Sequence, residues 1–220
     1  MNLLSFNEDC WYHNSNACNH ICDKCIRYFI IKTLMINSGV PDNLHHPIPL
    51  KPSKCDFEKF KRLAEIKDDI DEFVYKGKNL YICSNTVGNG KTSWALKLMY
   101  KYFSYTWRDG IKTSALFINV PELLLKLKDF NNPVSEEYKK LIITVPLVIW
   151  DDIALKNVSN WDYMQLYVLI NQRCERELSN IYTSNCTSFE KLAEYVGVKI
   201  SSRIWTNSTE IIELEGIDRR

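Results

Sequence analysis

Residues 84–92, which read SNTVGNGKT, constrain the fold of this chain more than any other stretch. An apolar run at 80–83 precedes them, and a segment with apolar residues at helical spacing, 94–103, follows them. The order is therefore strand, loop and helix. A loop of this kind turns backbone N–H groups toward phosphates at a helix N-terminus, and it supplies a lysine for the phosphates and a hydroxyl for Mg²⁺. The stretch is typical of a nucleotide-binding loop.

The loop departs from the usual pattern G-x-x-x-x-G-K-[ST] at one position, because Asn85 stands where the first glycine is expected. Asparagine is the least costly replacement, since after glycine it best tolerates a left-handed backbone. The loop is therefore predicted to bind ATP, with Thr92 also a ligand of Mg²⁺. The predicted nucleotide contacts are Asn85, Thr86, Val87, Gly88, Asn89, Gly90, Lys91, Thr92 and Ser93.

An apolar strand at 146–152, PLVIWDD, ends in two acidic residues. In a parallel sheet such a run is buried on both faces, and ligand chemistry lies at its carboxyl end. Asp151 is predicted to hold Mg²⁺ and Asp152 to orient the attacking water. A helix-capping turn is the alternative reading of the acidic pair.

A polar residue, Asn185, follows another short strand, predicted at 180–183. Asn185 would reach the γ-phosphate and its water if this strand lies between the loop's strand and the acidic strand. A turn-forming asparagine is the alternative.

The remaining periodicity predicts further strands and helices around these motifs. One long amphipathic helix is expected at 56–75, with Asp56 as a possible N-cap. Prolines between residues 41 and 52 indicate a linker. The other predicted helices are 26–36, 121–130, 161–178 and 189–195, and the other predicted strands are 114–120 and 210–214.

Four cysteines lie close together near the start of the chain, in a C-x₇-C-x₃-C-x₂-C arrangement with two histidines between them. Such a set would close a tetrahedral zinc site and help a short segment to fold. Free cysteines are the alternative. The C-x₃-C-x₂-C part also matches an iron–sulfur triplet, but no repeated strand–helix barrel follows it. The candidate ligands are Cys10, Cys18, Cys22 and Cys25, with His13 or His20 as possible replacements.

The formal net charge of +1 identifies no class of partner. Residues 86–150, however, carry nine Lys/Arg against five Asp/Glu. This surplus could form a basic face for nucleic-acid phosphates, or an ordinary solvated surface. Because no run approaches the roughly 18 apolar residues of a membrane span and no secretory signal begins the chain, a cytoplasmic protein is expected.

Four short motifs taken together resemble the DnaC/DnaI/IstB group of AAA+ ATPases, particularly phage-type replicative helicase loaders. They are the acidic pair after Val148-Ile149-Trp150, the run Tyr182-Thr183-Ser184-Asn185, the run Ser202-Arg203-Ile204 and the terminal Asp218-Arg219-Arg220. The resemblance covers about residues 51–220.

The resemblance implies roles for particular residues. Asp151 and Asp152 correspond to the Walker B acids, Asn185 to sensor 1, and Arg203 to an arginine finger that completes a neighbouring subunit's site. The implied fold is an α/β P-loop NTPase with a parallel sheet flanked by helices. Its helical lid would be reduced or absent, and no sensor 2 residue is identified.

The resemblance also implies a function, an ATP-dependent protein that loads or remodels a replicative hexameric DNA helicase of the DnaB type on single-stranded DNA. Residues 51–220 would form the AAA+ ATPase domain, a homo-oligomer when ATP is bound. Residues 1–50, the cysteine-rich segment and linker, would grip the helicase. An IstB-like transposition helper and a nucleotide-gated adaptor with negligible hydrolysis are the alternatives. A metabolic kinase is disfavoured, because no acceptor site accompanies the loop.

Overall fold

The structure is a computed structural model that describes residues 25–45, 50–128, 133–155 and 158–216. Within these ranges, one or two helices separate each pair of successive strands, and three helices precede the first strand. The strands are β1 (Asn79–Cys83), β2 (Ala115–Asn119), β3 (Leu147–Asp151), β4 (Ser179–Ser184) and β5 (Glu210–Glu213). The helices are α1 (Ile26–Asn37), α2 (Phe57–Asp68), α3 (Ile70–Tyr75), α4 (Lys91–Thr106), α5 (Val120–Leu127), α6 (Pro133–Ile142), α7 (Asn160–Glu175), α8 (Phe189–Val196) and α9 (Val198–Asn207). Single 3₁₀ turns lie at Asp42–Leu44, Lys54–Asp56 and Trp107–Asp109.

The five strands form one sheet in the order β2-β3-β4-β1-β5, and all neighbouring strands are parallel. Strand β4 therefore lies between β1, which leads into the glycine-rich loop, and β3, which ends in the acidic pair. The predicted α/β class, a parallel sheet flanked by helices, is confirmed. Within the described ranges no separate helical lid follows the sheet, because α8 and α9 both pack in its apolar core.

The sheet is buried on both faces, and each face has its own apolar core. Along β1, Leu80 and Ile82 belong to the core packed by α1 to α4, whereas Tyr81 and Cys83 belong to the core packed by α5 to α9. This division follows from the alternation of side chains along a strand. The carboxyl ends of β1, β3 and β4 consequently open at one edge of the sheet, between the two layers of helices.

Side-chain caps fix where several helices begin. The Asn119 carboxamide oxygen accepts the backbone N–H of Glu122 at 3.1 Å at the start of α5. At the start of α7, Ser159 and Asp162 form a reciprocal capping box. Each cap satisfies donors that the first helical turn leaves unpaired. Helices α5 and α7 therefore begin one residue before the predicted positions 121 and 161.

The long helix predicted at 56–75 is wrong, because it is two helices, α2 and α3, that meet at Asp69. The suggestion that Asp56 caps this helix is also wrong, since its side chain makes no capping bond. The buried Asp56 carboxylate instead accepts the backbone N–H groups of Glu215 and Gly216, each at 2.8 Å. Asp56 thus ties the start of α2 to the chain that leaves β5.

Two helices were not predicted from the sequence. Helix α6 lies between the predicted 121–130 helix and the acidic strand, and α9 contains the run Ser202-Arg203-Ile204, which was expected only to precede the last strand. Ile200 and Ile204 are the buried apolar residues that hold α9 on the sheet.

The division of the chain at residue 50 stays a prediction. The described part of the first segment includes α1, whose Ile31, Leu34 and Met35 lie in the same apolar core as the side chains of α4. No helix among the described residues is long and apolar enough to span a membrane.

Candidate functional site

The glycine-rich loop joins the end of β1 to the start of α4, as the sequence predicts. Gly88 and Gly90 have positive φ angles of 74° and 105°, a conformation that side chains rarely adopt. A Cβ atom on Gly90 would also lie 3.2 Å from the Leu50 side chain. Helix α4 then begins at Lys91, so its N-terminal N–H groups face the loop.

The left-handed backbone predicted for Asn85 is wrong. Among the described non-glycine residues only Asp152 and Glu177 have positive φ, so Asn85 is not left-handed. Its carboxamide oxygen accepts hydrogen bonds from the Thr187 hydroxyl at 3.4 Å and the Lys191 ammonium at 3.3 Å. Position 85 therefore needs no glycine, and its side chain ties the loop to the start of α8.

Hydrogen bonds within the loop hold it in shape. The Lys91 ammonium donates to the Thr86 carbonyl at 3.0 Å, and the Ser84 hydroxyl accepts the Thr86 N–H at 2.9 Å. The buried Asn89 amide donates to that same hydroxyl and, at 3.1 Å, to the Leu214 carbonyl after β5. The loop is thus preorganised, and Asn89 connects it to the edge of the sheet.

Asp151 lies at the end of β3, where one of its oxygens accepts two hydroxyl groups. Thr92 donates to Oδ1 at 2.8 Å and Thr183 donates to the same atom at 2.7 Å. Burial raises the pKa of Asp151, while the two hydroxyl bonds act in the opposite direction. A hydroxyl and a carboxylate side by side are the hard oxygen ligands that Mg²⁺ prefers, so the residues fit the ion.

Asp152 has the left-handed φ of 56°, which Asp tolerates better than most residues do. Its backbone N–H donates to the Thr183 hydroxyl at 3.0 Å, and its side chain is exposed. Thr183 therefore contacts both acids. The chain turns sharply between them, which separates the buried carboxylate from the exposed one.

A cavity of about 460 Å³ lies over the loop, a size typical of small-ligand sites. It brings together most of the predicted residues. Asn85, Thr86 and Arg203 do not line it. Its lining comprises Leu44, Leu50, Val87, Gly88, Asn89, Gly90, Lys91, Thr92, Ser93, Asn119, Asp151, Asp152, Thr183 and Asn185.

Four of these residues were not predicted from the sequence. Only Thr183 could have been inferred, from its position next to a predicted site residue. Thr183 lies two positions before Asn185 on the strand beside β3, so its proximity to the acids follows once the strand order is known. Asn119 ends β2, and the apolar Leu44 and Leu50 lie beside the segment that was predicted as a linker. None of these three matches a motif.

The predicted arginine finger does not line the cavity, and most of the predicted zinc site is not described by the structure. Arg203 is exposed on α9, near enough to Cys174 for its charge to oppose the rise that burial causes in the pKa of that thiol. Cys10, Cys18 and Cys22 lie outside the described residues, and Cys25 immediately precedes α1. No group of three metal-binding side chains is found in the part of the chain that the structure describes, so the zinc site stays a prediction.

The strand order, the glycine-rich loop and the acids at the end of β3 define the fold of a P-loop NTPase. No family model and no curated protein matches the chain, but solved structures do. A crystal structure of the DnaC helicase loader is 20% identical with a TM-score of 0.63, covering 76% of this chain and 94% of that chain.

Two further structures agree with this class. A crystal structure of DnaI is 24% identical with a TM-score of 0.60, covering 79% of this chain and 88% of that one. AMPPCP-bound DnaA from Aquifex aeolicus is 15% identical with a TM-score of 0.56, and the match covers 76% of this chain and 48% of that chain. The chain thus has a DnaC- and DnaI-like AAA+ fold.

Proposed function

We propose that this protein is an ATPase that loads or remodels a replicative hexameric DNA helicase on single-stranded DNA. One observation carries the ATPase part. The loop lysine, the Thr92–Asp151 pair at 2.8 Å, Asp152 and Asn185 all line the same cavity. Phosphoryl transfer needs little beyond such positioning of a cation, a metal site and a water-orienting group.

Each side chain has a part in that chemistry. Lys91, which donates to the Thr86 carbonyl, would donate to the β- and γ-phosphates instead. Thr92 and Asp151 would hold Mg²⁺, which neutralises charge on the phosphates. Asp152 would orient and polarise the attacking water, and Asn185 would fix that water against the γ-phosphate.

In a homo-oligomer, a neighbouring subunit would supply a second cation, an arginine finger, to the nucleotide site. Arg203 is exposed on α9 and does not line its own chain's cavity, which supports a role at a neighbouring subunit's nucleotide. An arginine finger that acts in trans spreads charge on the transferred phosphoryl group. ATP would therefore be hydrolysed only in an assembly.

The helicase-loading part rests on the fold shared with structures of a DnaC helicase loader and of DnaI. Residues 1–50, with a zinc ion held by the four cysteines, would be the segment that grips the helicase in the cytoplasm. Metal analysis of the intact protein should find about one zinc per chain. Replacing Cys22 and Cys25 together should release it.

The test combines turnover with delivery of a helicase. ATP hydrolysis should rise when single-stranded DNA and a DnaB-type hexamer are present, and helicase should accumulate on the DNA only with ATP and residues 1–50 intact. ATP-dependent assembly without turnover would instead indicate a nucleotide-gated adaptor. Capture of a transposase and duplex DNA by residues 1–50 would indicate an IstB-like helper.

A further inference from the structure

Helices α1 and α4 and the turn at Trp107–Asp109 pack together on one side of the sheet. The sequences of the two helices, IRYFIIKTLMIN and KTSWALKLMYKYFSYT, contain five Lys/Arg and no Asp/Glu. The whole chain has a net charge of only +1. Positive charge is therefore concentrated on α1 and α4, whereas α2 and α3, which pack in the same core, carry four Lys/Arg and five Asp/Glu.

Four cations on this side lie over aromatic rings. The Lys97 ammonium is 5.2 Å from the centre of the Trp94 ring, and the Lys101 ammonium is 5.2 Å from that of Tyr105. The guanidinium groups of Arg27 and Arg108 lie 5.0 Å and 5.5 Å from the Trp107 ring. We call Arg27, Lys97, Lys101 and Arg108 the basic face.

Aromatic rings hold these cations in place without neutralising them. Within the described residues, no carboxylate forms an ion pair with Lys97, Lys101 or Arg108. Burial and the nearby charge of Lys67 both lower the pKa of Lys97, so its positive form lacks a compensating anion. Carboxylates also lie near this face. Asp68 pairs with Lys67 at 3.4 Å, and the charges of Asp71 and Asp109 add to the rise that burial causes in the pKa of Tyr102 on α4.

The spacing of the cations suits a polyanion more than a single phosphate. Lys97 and Lys101 are one helical turn apart, about 6 Å, and Arg108 lies seven residues further on, about 10 Å if the helical rise continued. Cations of one sign along α4 and the turn that follows it match the regular charges of a nucleic-acid backbone. An acidic protein would instead present charges of both signs at irregular spacing, which a row of cations matches less well.

We propose that the basic face binds the phosphate backbone of single-stranded DNA without regard to base sequence. The proposal rests on the proposed function for its ligand and on the basic face for its location. Three of the nine Lys/Arg in residues 86–150 belong to the basic face. Because the rings are already covered by cations, contacts to phosphates rather than base stacking supply the affinity.

The experiment compares two triple variants that remove the same charge. The test variant carries Lys97→Gln, Lys101→Gln and Arg108→Gln. The control variant carries Lys126→Gln, Lys140→Gln and Lys199→Gln, three exposed lysines on helices of the opposite side. Thermal unfolding and binding of ATP verify that both variants are folded. The probe is a labelled single-stranded oligothymidylate, titrated without helicase at several salt concentrations, with a duplex of the same length alongside.

The test variant should bind the oligothymidylate more weakly, and its plot of log affinity against log salt should be shallower by about 2. This value is roughly 0.7 for each of the three cations removed. The control variant should keep the wild-type slope.

Equal slopes in both variants would overturn the proposal while leaving the proposed function standing, because DNA would then bind elsewhere. Loss confined to the duplex, or loss of helicase binding with unchanged DNA binding, would also overturn it. If the wild-type protein binds no single-stranded DNA while it still hydrolyses ATP, both this proposal and the DNA part of the proposed function fail.

Discussion

Replacing the buried Asp56 tests whether this residue acts as an N-cap of α2 or ties α2 to the chain after β5. Its Oδ1 accepts the Glu215 N–H at 2.8 Å, and its Oδ2 accepts the Gly216 N–H at 2.8 Å and the Ser53 hydroxyl at 3.1 Å. The side chain is fully buried. We expect Asp56→Asn to destabilise the protein strongly, because one amide oxygen can replace only one of the two carboxylate oxygens.

The magnitude follows from the number of hydrogen bonds and from what is left unpaired. A hydrogen bond to a charged group contributes about 1.5–3 kcal/mol. In the Asp56→Asn variant, the amide NH₂ faces either the Glu215 N–H or the buried Gly216 N–H, so one such bond is lost and two donors oppose each other. A loss of about 3 kcal/mol is expected, which lowers Tm by roughly 6–12 °C in a domain of this size.

Thermal and denaturant unfolding measure this loss. Asp68→Asn is the matched control, because that side chain is 67% exposed and its replacement should change stability by less than about 0.5 kcal/mol. If Asp56 acted only as an N-cap of α2, asparagine would serve as well as aspartate. An unchanged Tm for Asp56→Asn would therefore refute the tie to the chain after β5.

Four further predictions concern the nucleotide site. Lys91→Ala should abolish ATP binding or turnover, because among the described residues that line the cavity it is the one Lys or Arg; undiminished turnover would reject the site. Asp152→Asn should bind ATP yet hydrolyse it slowly in single-turnover assays; lost affinity would mean that the two acids exchange roles. Thr183→Val should shift the acid limb of the pH–rate profile to higher pH, because the hydroxyl bond lowers the pKa of Asp151 and its removal lets that pKa rise, whereas Thr183→Ser should not. Arg203→Ala should bind ATP normally but lose about 10³–10⁵ in turnover, and mixing it with Lys91→Ala subunits should restore some activity; an unslowed assembly would remove Arg203 from the site.

The loop and the acidic pair could be predicted from the sequence because each is a local pattern. Residues 84–92 specify their chemistry within nine positions, and the run before Asp151 is apolar enough to be recognised as a buried strand. The role of Asn185 depended on strand order, which the sequence did not determine by itself. The parallel pairing of β4 with both β1 and β3 now places Asn185 at the cavity.

Residues whose partners are distant in sequence could not be predicted. Asp56 matches an N-cap pattern locally, but its partners lie 159 and 160 residues away. Asn85 fits a left-handed position by propensity, yet its partners are Thr187, just before α8, and Lys191, in the first turn of α8. In both cases tertiary hydrogen bonds, which no local pattern contains, determine the role.

The arrangement around Asp151 would let the proposed Mg²⁺ bind without loss of the two hydroxyl hydrogen bonds. Thr92 and Thr183 both donate to Oδ1 of Asp151, so neither hydroxyl occupies the other carboxylate oxygen, Oδ2. A Mg²⁺ ion would use a lone pair of the Thr92 oxygen, and the hydroxyl proton could still be donated to Asp151. The Thr183 hydroxyl also accepts the Asp152 N–H. One hydroxyl therefore holds both the buried Asp151 carboxylate and the backbone turn at the exposed Asp152. Because Thr183 contacts both acids, the metal-binding role proposed for Asp151 and the water-orienting role proposed for Asp152 would be held by one hydroxyl.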